Sequence, residues 1–112
     1  MIQRRRRGIV LVYVIVWEFR INSQMEAEFV RHYGPDGSWA QFFSRSKGYI
    51  RTDLMRDVAD RLRLVTLDYW QSQEEFDRFR EQNLAEYERL DEQFEGLTKT
   101  ETRLGAFETT KS

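Results

Sequence analysis

Two ionisable side chains are candidates for acid–base chemistry. His32 is the only histidine in the 112-residue chain, and histidine is the side chain whose ordinary pKa lies closest to neutral pH. Asp68 interrupts an apolar run that alternates like a strand, and burial there would raise the pKa of its carboxyl. Each also has a structural interpretation, which the residue types alone favour: His32 would stabilise a helix C-terminus, and Asp68 would accept an amide hydrogen bond or pair with an arginine.

A set of aromatic side chains is spaced to point inward from the predicted elements. Core packing is the default role of such rings, but around a cavity they would form walls that bind a flat apolar ligand. Trp70 ends a predicted strand, where it would either seal the core or line a pocket. The candidate ligand-binding residues are Tyr33, Trp39, Phe43, Trp70, Phe79 and Tyr87.

Several other kinds of site are not indicated by the sequence. The chain has no cysteine, which removes disulfides, thiolate nucleophiles and thiolate metal sites. A single histidine cannot form an H-x-x-x-H metal motif. The glycines of residues 34–37 (GPDG) break a helix and do not form a phosphate loop. We therefore predict no metal and no other cofactor.

The hydrophobic pattern predicts the elements that would position these residues. Strands are expected over residues 9–21, 49–57, 62–70 and 97–107, and a helix followed by a second helical piece over residues 25–45. Ser72 and Glu75 form a capping box that begins a long helix, which ends near Gly96 and is kinked near Asn83. The order β-α-β-β-α-β is that of an α+β, ferredoxin-like fold.

The first predicted strand is apolar on both faces up to Trp17. Helices of this fold cover only one face of the sheet, so the other face would remain a large apolar surface. We therefore expect a homodimer in which the sheets of two copies pack together. Residues 9–108 would form a single domain, between a flexible basic tail over residues 1–8 and a short C-terminal tail over residues 109–112.

Five stretches of the chain and the pair Leu90-Asp91 resemble the antibiotic biosynthesis monooxygenase (ABM) family, whose members form dimeric α/β barrels. The stretches are WEFR (17–20), YGPDGSWAQFF (33–43), GYIRTDL (48–54), LDYWQSQEEFDRF (67–79) and ETRLGAFE (101–108). The family includes enzymes that oxidise polycyclic phenols to quinones without metal or flavin, and Trp70 matches the tryptophan that these enzymes place at the end of the third strand. It also includes haem-degrading enzymes that use an Asn, a Trp and a His. The corresponding positions here are Phe19, the vicinity of Phe79 and residues 87–89, so the triad is absent, which counts against haem degradation.

The resemblance implies a monooxygenase that oxidises a flat aromatic or quinol compound with oxygen, with His32 or Asp68 removing a phenol proton. The alternative is a non-catalytic dimeric protein of the same fold that binds a small aromatic ligand, which a pocket without a titratable group would favour. A purely structural module, with a filled core, is the third possibility.

Charge and hydropathy limit the other partners. The net charge of −1 gives no overall attraction to nucleic acid, and the block Arg4–Arg7 is expected to be a solvated tail. The apolar run over residues 9–17 is too short to span a bilayer and no cleavage site follows it. We expect a bacterial, cytoplasmic protein that binds neither nucleic acid nor membranes.

Overall fold

The computed structural model describes residues 11–110, which form a four-stranded antiparallel sheet with helices on one face. The predicted tail over residues 1–8, the start of the first predicted strand and residues 111–112 lie outside the described part. The fold is α+β and ferredoxin-like, as predicted. The elements are β1 (Tyr13–Ile21), α1 (Glu26–Tyr33), α2 (Ser38–Phe43), β2 (Tyr49–Arg56), β3 (Arg63–Trp70), α3 (Gln73–Gln82), α4 (Leu84–Phe94) and β4 (Thr98–Glu108).

The strands lie in the order β2-β3-β1-β4, so β1 and β3 are central. β1 pairs with β3 in a continuous antiparallel register that places Trp17 opposite Thr66 and Ile15 opposite Asp68. The pairing of β2 with β3 shifts between Tyr49 and Arg51, which marks a bulge at the start of β2. This register determines which side chains share the helix-facing side of the sheet.

The core lies between that inner face and the helices. Trp70, Phe29, Ile21 and Leu64 are its largest fully enclosed side chains. Rings dominate this core: Phe29 stacks on Tyr33 with ring centroids 4.3 Å apart, at an interplanar angle of 9°. Large rings bury much apolar area per residue, which suits a core built from only one sheet face and short helices.

Local sequence signals explain where the second helical region begins and breaks. The Ser72 hydroxyl accepts the amide of Glu75 at 3.1 Å, as the capping box predicts. The reciprocal bond from Glu75 is not made, because its carboxylate accepts from Arg78 at 2.9 Å instead. The predicted kink is a complete break at Asn83, which leaves helical geometry (φ −128°, ψ 28°) and separates α3 from α4.

The outer face of the sheet carries apolar side chains that none of the helices within residues 11–110 covers. Met55 on β2 and Phe107 on β4 are 52% and 54% exposed, and Val65 and Leu67, on β3 between those two strands, are partly exposed. The proposed partner subunit would cover this face, and that expectation stays a prediction. None of the helices formed by residues 11–110 is both long and apolar enough to cross a membrane. The expected cytoplasmic location and domain boundaries also stay predictions.

Candidate functional site

A cavity lies between the inner sheet face and the helices. Its total empty volume is about 520 Å³ with the open mouth included, and the centres of water molecules can occupy about 70 Å³ of it. One water molecule needs roughly 10–15 Å³ of the space available to water centres, so there is room for several waters or a small ligand. The lining residues are Trp17, Phe19, Tyr33, Trp39, Phe43, Thr52, Thr66, Asp68, Tyr87, Asp91 and Glu101.

Asp68 contributes a carboxylate to the wall of this cavity. It lies on the inner face of β3 with Thr66 and Trp70, as the alternation of the strand predicted. Its Oδ1 accepts the hydroxyl of Thr52 at 2.6 Å. Burial raises the pKa of Asp68 from 3.8 to about 6, and the hydrogen bond from Thr52 opposes that rise. Asp68 is therefore charged near neutral pH and basic enough to take a proton from an acidic phenol.

The tyrosines in and beside the cavity remain protonated near neutral pH. Burial raises the pKa of Tyr87 to about 12 and is also the main cause of the raised pKa of Tyr33. Their phenols can donate and accept hydrogen bonds at the cavity wall, but they do not serve as bases at neutral pH. Among the cavity side chains, proton removal is thus left to the carboxylates.

Two further carboxylates lie where the cavity meets the surface. Asp91 and Glu101 line both the cavity and an adjoining depression that also contains Glu88, Glu92 and Glu95. Although Asp91 and Glu101 are largely exposed, partial burial of their carboxyl groups and neighbouring acidic charges raise the pKa of each. This negative rim would disfavour the entry of an anion and admit neutral or cationic molecules.

Aromatic rings form the helix side of the cavity. The ring of Trp39 lies 5.2 Å from that of Tyr87 and 5.6 Å from that of Phe43, measured between centroids. A bidentate ion pair of Arg45 with Glu86, with both N–O distances 2.7 Å, fixes the end of α2 against α4. The rings therefore form an apolar wall facing the polar side chains of the sheet.

The structure places five of the eight candidate site residues at the cavity: Tyr33, Trp39, Phe43, Asp68 and Tyr87. The other three do not line it. Trp70 is fully buried among Phe43, Tyr49, Phe76 and Phe79, with centroid distances of 5.2–5.6 Å, so it seals the end of the core.

Phe79 also belongs to the core, 4.9 Å from the ring of Phe42. The remaining candidate, His32, lies at the end of α1 outside the cavity lining. Its Nδ1 is 2.7 Å from the Ser38 hydroxyl, its Nε2 is 3.4 Å from Glu28, and its ring stacks on Phe94 at 4.2 Å. These contacts connect α1 to α2 and α4, in keeping with the structural interpretation of His32.

Six lining residues were not among the sequence candidates: Trp17, Phe19, Thr52, Thr66, Asp91 and Glu101. A signal existed for Thr66, which precedes Asp68 by two residues and so shares its face of the strand. Thr52 could be found only from the register of the β2–β3 hairpin, which places it directly opposite Asp68. Within residues 11–110, no group of three or more His, Asp or Glu side chains is arranged to hold a metal ion.

Comparisons with known proteins agree with this architecture. The family model described as "Antibiotic biosynthesis monooxygenase" matches residues 12–93. No curated protein matches the chain at a significant level of sequence similarity.

Solved structures provide the same fold at low sequence identity. A mutant of SnoaB, a cofactor-independent oxygenase from Streptomyces nogalater, is 22% identical with a TM-score of 0.65, covering 93% of this chain and 97% of that one. Protein SO0527 from Shewanella oneidensis is 15% identical with a TM-score of 0.64, covering 93% and 96%. A conserved protein from Methanosarcina mazei Go1 is 12% identical with a TM-score of 0.63, covering 92% and 95%.

Proposed function

Because the chain belongs to the antibiotic biosynthesis monooxygenase family, we propose that it is a monooxygenase that oxidises a flat aromatic or quinol compound with molecular oxygen, using neither metal nor flavin. The observation that carries the proposal is a partly buried carboxylate, Asp68, in a cavity whose opposite wall is aromatic. The similarity to SnoaB, a cofactor-independent oxygenase, supports the choice of reaction.

Asp68 is the proposed general base. A neutral phenol or anthrone passes the acidic rim more readily than its anion, and stacks against Trp39 and Tyr87. Asp68 then removes a proton from the bound substrate. A carboxylate with a pKa near 6 is a stronger base than an ordinary aspartate and is still mostly ionised at neutral pH.

The resulting carbanion or phenolate is electron-rich enough to react with oxygen directly. For an anthrone, the deprotonated carbon transfers electrons to oxygen and forms a carbon–oxygen bond, which gives a peroxide on the substrate. Return of the proton gives a hydroperoxide. Loss of the second hydrogen from the same carbon as a proton, with cleavage of the O–O bond, expels hydroxide, which takes up that proton as water and leaves a carbonyl group. One oxygen atom ends in the quinone and the other in water, so the substrate supplies both electron pairs and no external reductant is needed. A flat substrate that fills the space against the aromatic wall would displace the water that could otherwise reprotonate the anion.

The alternative, a non-catalytic ligand-binding protein, would be favoured by a pocket that no titratable group reaches. Asp68, Asp91 and Glu101 all line this cavity, which supports the enzymatic proposal. The cavity itself argues against a purely structural module, for which a filled core was the expected sign.

Oxygen uptake by the metal-stripped protein, measured with a panel of anthrones, naphthols and quinols, tests the proposal. We expect turnover of at least one compound and a loss of roughly 100-fold or more in Asp68→Asn, since a positioned base contributes on the order of 10²–10⁴. Asp77→Asn, which removes an exposed carboxylate on α3, is the matched control. Tight binding of a panel member without any turnover would reject the oxygenase and support the ligand-binding alternative.

We also propose that two copies of the chain associate through the outer sheet face. Val16 and Val65 lie near its centre and Met55 and Phe107 near its edges, while the charged pair Glu18 and Arg63 accompanies them. Exposed apolar side chains grouped on one face of a sheet are typical of a surface that a second protein covers.

Sedimentation equilibrium of the wild type and of Val65→Lys tests this association. A lysine at the centre of the face would bury a charge in the interface, so we expect the wild type to be dimeric and the variant monomeric. Lys99→Glu, which changes an exposed charge at the start of β4, is the control. A monomeric wild type would refute the proposal.

A further inference from the structure

Asp68 is the inner end of a chain of three hydrogen-bonding side chains. Thr52 donates its hydroxyl to Asp68 Oδ1 at 2.6 Å, and the phenol oxygen of Tyr49 lies 2.7 Å from Thr52 Oγ1. A threonine hydroxyl carries one hydrogen, so while Thr52 donates to Asp68, Tyr49 must donate to Thr52. The three groups thus form a directed chain that ends at the carboxylate.

The chain connects two different spaces. Asp68 and Thr52 line the cavity, whereas Thr52 and Tyr49 also line an open surface groove formed with residues of α2 and the segment before it. Thr52 is 97% buried, with 3% of its surface exposed, and therefore occupies the wall between the cavity and the groove. We propose that Asp68, Thr52 and Tyr49 form a proton relay between the cavity and this groove; the proposal rests on Asp68 being the base of the proposed oxygenase.

The bulge at the start of β2 makes this chain possible. Residues three apart in a regular strand point to opposite faces, so Tyr49 and Thr52 would normally be separated by the sheet. The register shift between Tyr49 and Arg51 inserts an extra residue, and both side chains then lie on the same side. Ile50, next to Tyr49, is left 41% exposed. Bulges commonly redirect a side chain next to a functional site, which is the effect here.

The relay moves a proton by reversal of its hydrogen bonds. When Asp68 has taken a proton from the substrate, it donates to Thr52, Thr52 passes its own hydrogen to Tyr49, and Tyr49 passes its own to water in the groove. Asp68 is then ionised again and cannot return the proton to the substrate anion while oxygen reacts. The oxidation as a whole neither releases nor consumes protons, so the same chain returns a proton when the peroxide breaks down. Neither hydroxyl has to ionise in this exchange, which agrees with the high pKa of Tyr49, raised to about 12 by burial.

Other titratable groups face Asp68 across the cavity. They are Tyr33 from α1, Tyr87 and Asp91 from α4, and Glu101 from β4. The two tyrosines stay neutral near pH 7, and the two carboxylates line the rim shared with the acidic depression. A static role, in which Thr52 only orients Asp68, is the competing interpretation, and it predicts no effect of Tyr49 on proton transfer.

The first test follows the side-chain carboxyl of Asp68 by ¹³C NMR during a pH titration of the ligand-free protein. Thr52→Val should raise the pKa of Asp68 by about one unit, because a hydrogen bond to a charged group contributes on the order of 1.5–3 kcal/mol. Thr52→Ser should restore it. Tyr49→Phe should raise it by a few tenths, since the chain is cooperative. Tyr69→Phe removes a phenol from the opposite face of the sheet and should have no effect. An unchanged pKa in Thr52→Val would overturn the proposal.

The second test measures oxygen uptake with the panel compound that the wild type oxidises. Tyr49→Phe and Thr52→Val should lower kcat roughly tenfold with little change in KM, and small diffusible buffers should restore part of the loss. A full kcat in Tyr49→Phe, with an unchanged solvent isotope effect, would overturn the relay. A wild type that oxidises nothing would reject the oxygenase and with it the relay's role in turnover. The carboxyl titration would still decide whether Thr52 and Tyr49 set the ionisation of Asp68.

Discussion

Replacing Asp68 with asparagine should stabilise the folded protein at neutral pH while removing the proposed base. Burial raises the pKa of this carboxyl from 3.8 to about 6 in the folded protein. An acid whose pKa is raised by folding stabilises the fold below its unfolded pKa, and this contribution is lost as the pH rises through the folded pKa. At about 1.4 kcal/mol per pKa unit, the full shift corresponds to about 3 kcal/mol, of which the wild type should lose about 2 kcal/mol between roughly pH 4 and pH 7.

Urea unfolding, followed by the fluorescence of the three tryptophans at fixed protein concentration, measures this effect. Asparagine does not titrate, and its side-chain oxygen can still accept the Thr52 hydroxyl. The free energy of unfolding of Asp68→Asn, minus that of the wild type, should thus grow by about 2 kcal/mol from about pH 4 to pH 7. The exposed Asp77→Asn should show no such growth. A difference that does not change with pH would refute the claim that burial disfavours the charged form of Asp68. A difference that decreases as the pH rises would mean that a cation stabilises that charge.

Three further substitutions test the structural roles. Ser72→Ala should lower the free energy of unfolding by about 1 kcal/mol, because it removes the cap of α3, whereas Ser72→Asp should retain most of it in the same urea titration. Trp70→Ala should cost about 3–5 kcal/mol as a core truncation, and Trp70→Phe much less; strong loss of ligand affinity in the folded Phe variant would instead place Trp70 at the site. His32→Ala should lower the free energy of unfolding by about 1 kcal/mol, because the contact with Ser38 is lost, and should leave oxygen uptake per folded molecule unchanged. Loss of oxygen uptake in this variant would restore His32 as the candidate base.

The fold could be predicted from the sequence because its signals are local. Alternation along β3 placed Leu64, Thr66 and Trp70 on one face, and these are the buried residues of that strand. The serine before α3 predicted where that helix begins. The reciprocal half of the capping box could not be read in the same way. A Cβ on Gly48, the residue before β2, would lie only 2.4 Å from the Cβ of Glu75, so this glycine allows the start of β2 to approach α3. The Glu75 carboxylate accepts from Arg78 and does not reach back to the amide of Ser72.

The site was less predictable because it depends on how elements cross. Trp39 and Trp70 both point inward with large rings, and nothing in their spacing distinguishes a cavity wall from a core seal. The difference arises because α2 lies beside the cavity, whereas Trp70 ends β3 beneath Phe76 and Phe79. The contact of Thr52 with Asp68 likewise requires the hairpin register, and that of Tyr49 with Thr52 requires a bulge with no glycine or proline at residues 49–51 to indicate it.

The polar side chains of the cavity and the side chains that set its shape come from different elements. The polar groups on its deeper wall, Thr52, Thr66 and Asp68, come from the two adjacent strands β2 and β3, while most of its rings come from the helices. Backbone pairing fixes the strand residues relative to one another whatever side chains they carry, so a hydroxyl or carboxyl at these positions can change without repacking the helices. Exchange of a helix ring, by contrast, alters the volume and outline of the space that a ligand fills. Substitutions at Thr52, Thr66 or Asp68 should therefore change mainly the rate and its pH dependence, and substitutions at Trp39 or Tyr87 mainly which compound is bound.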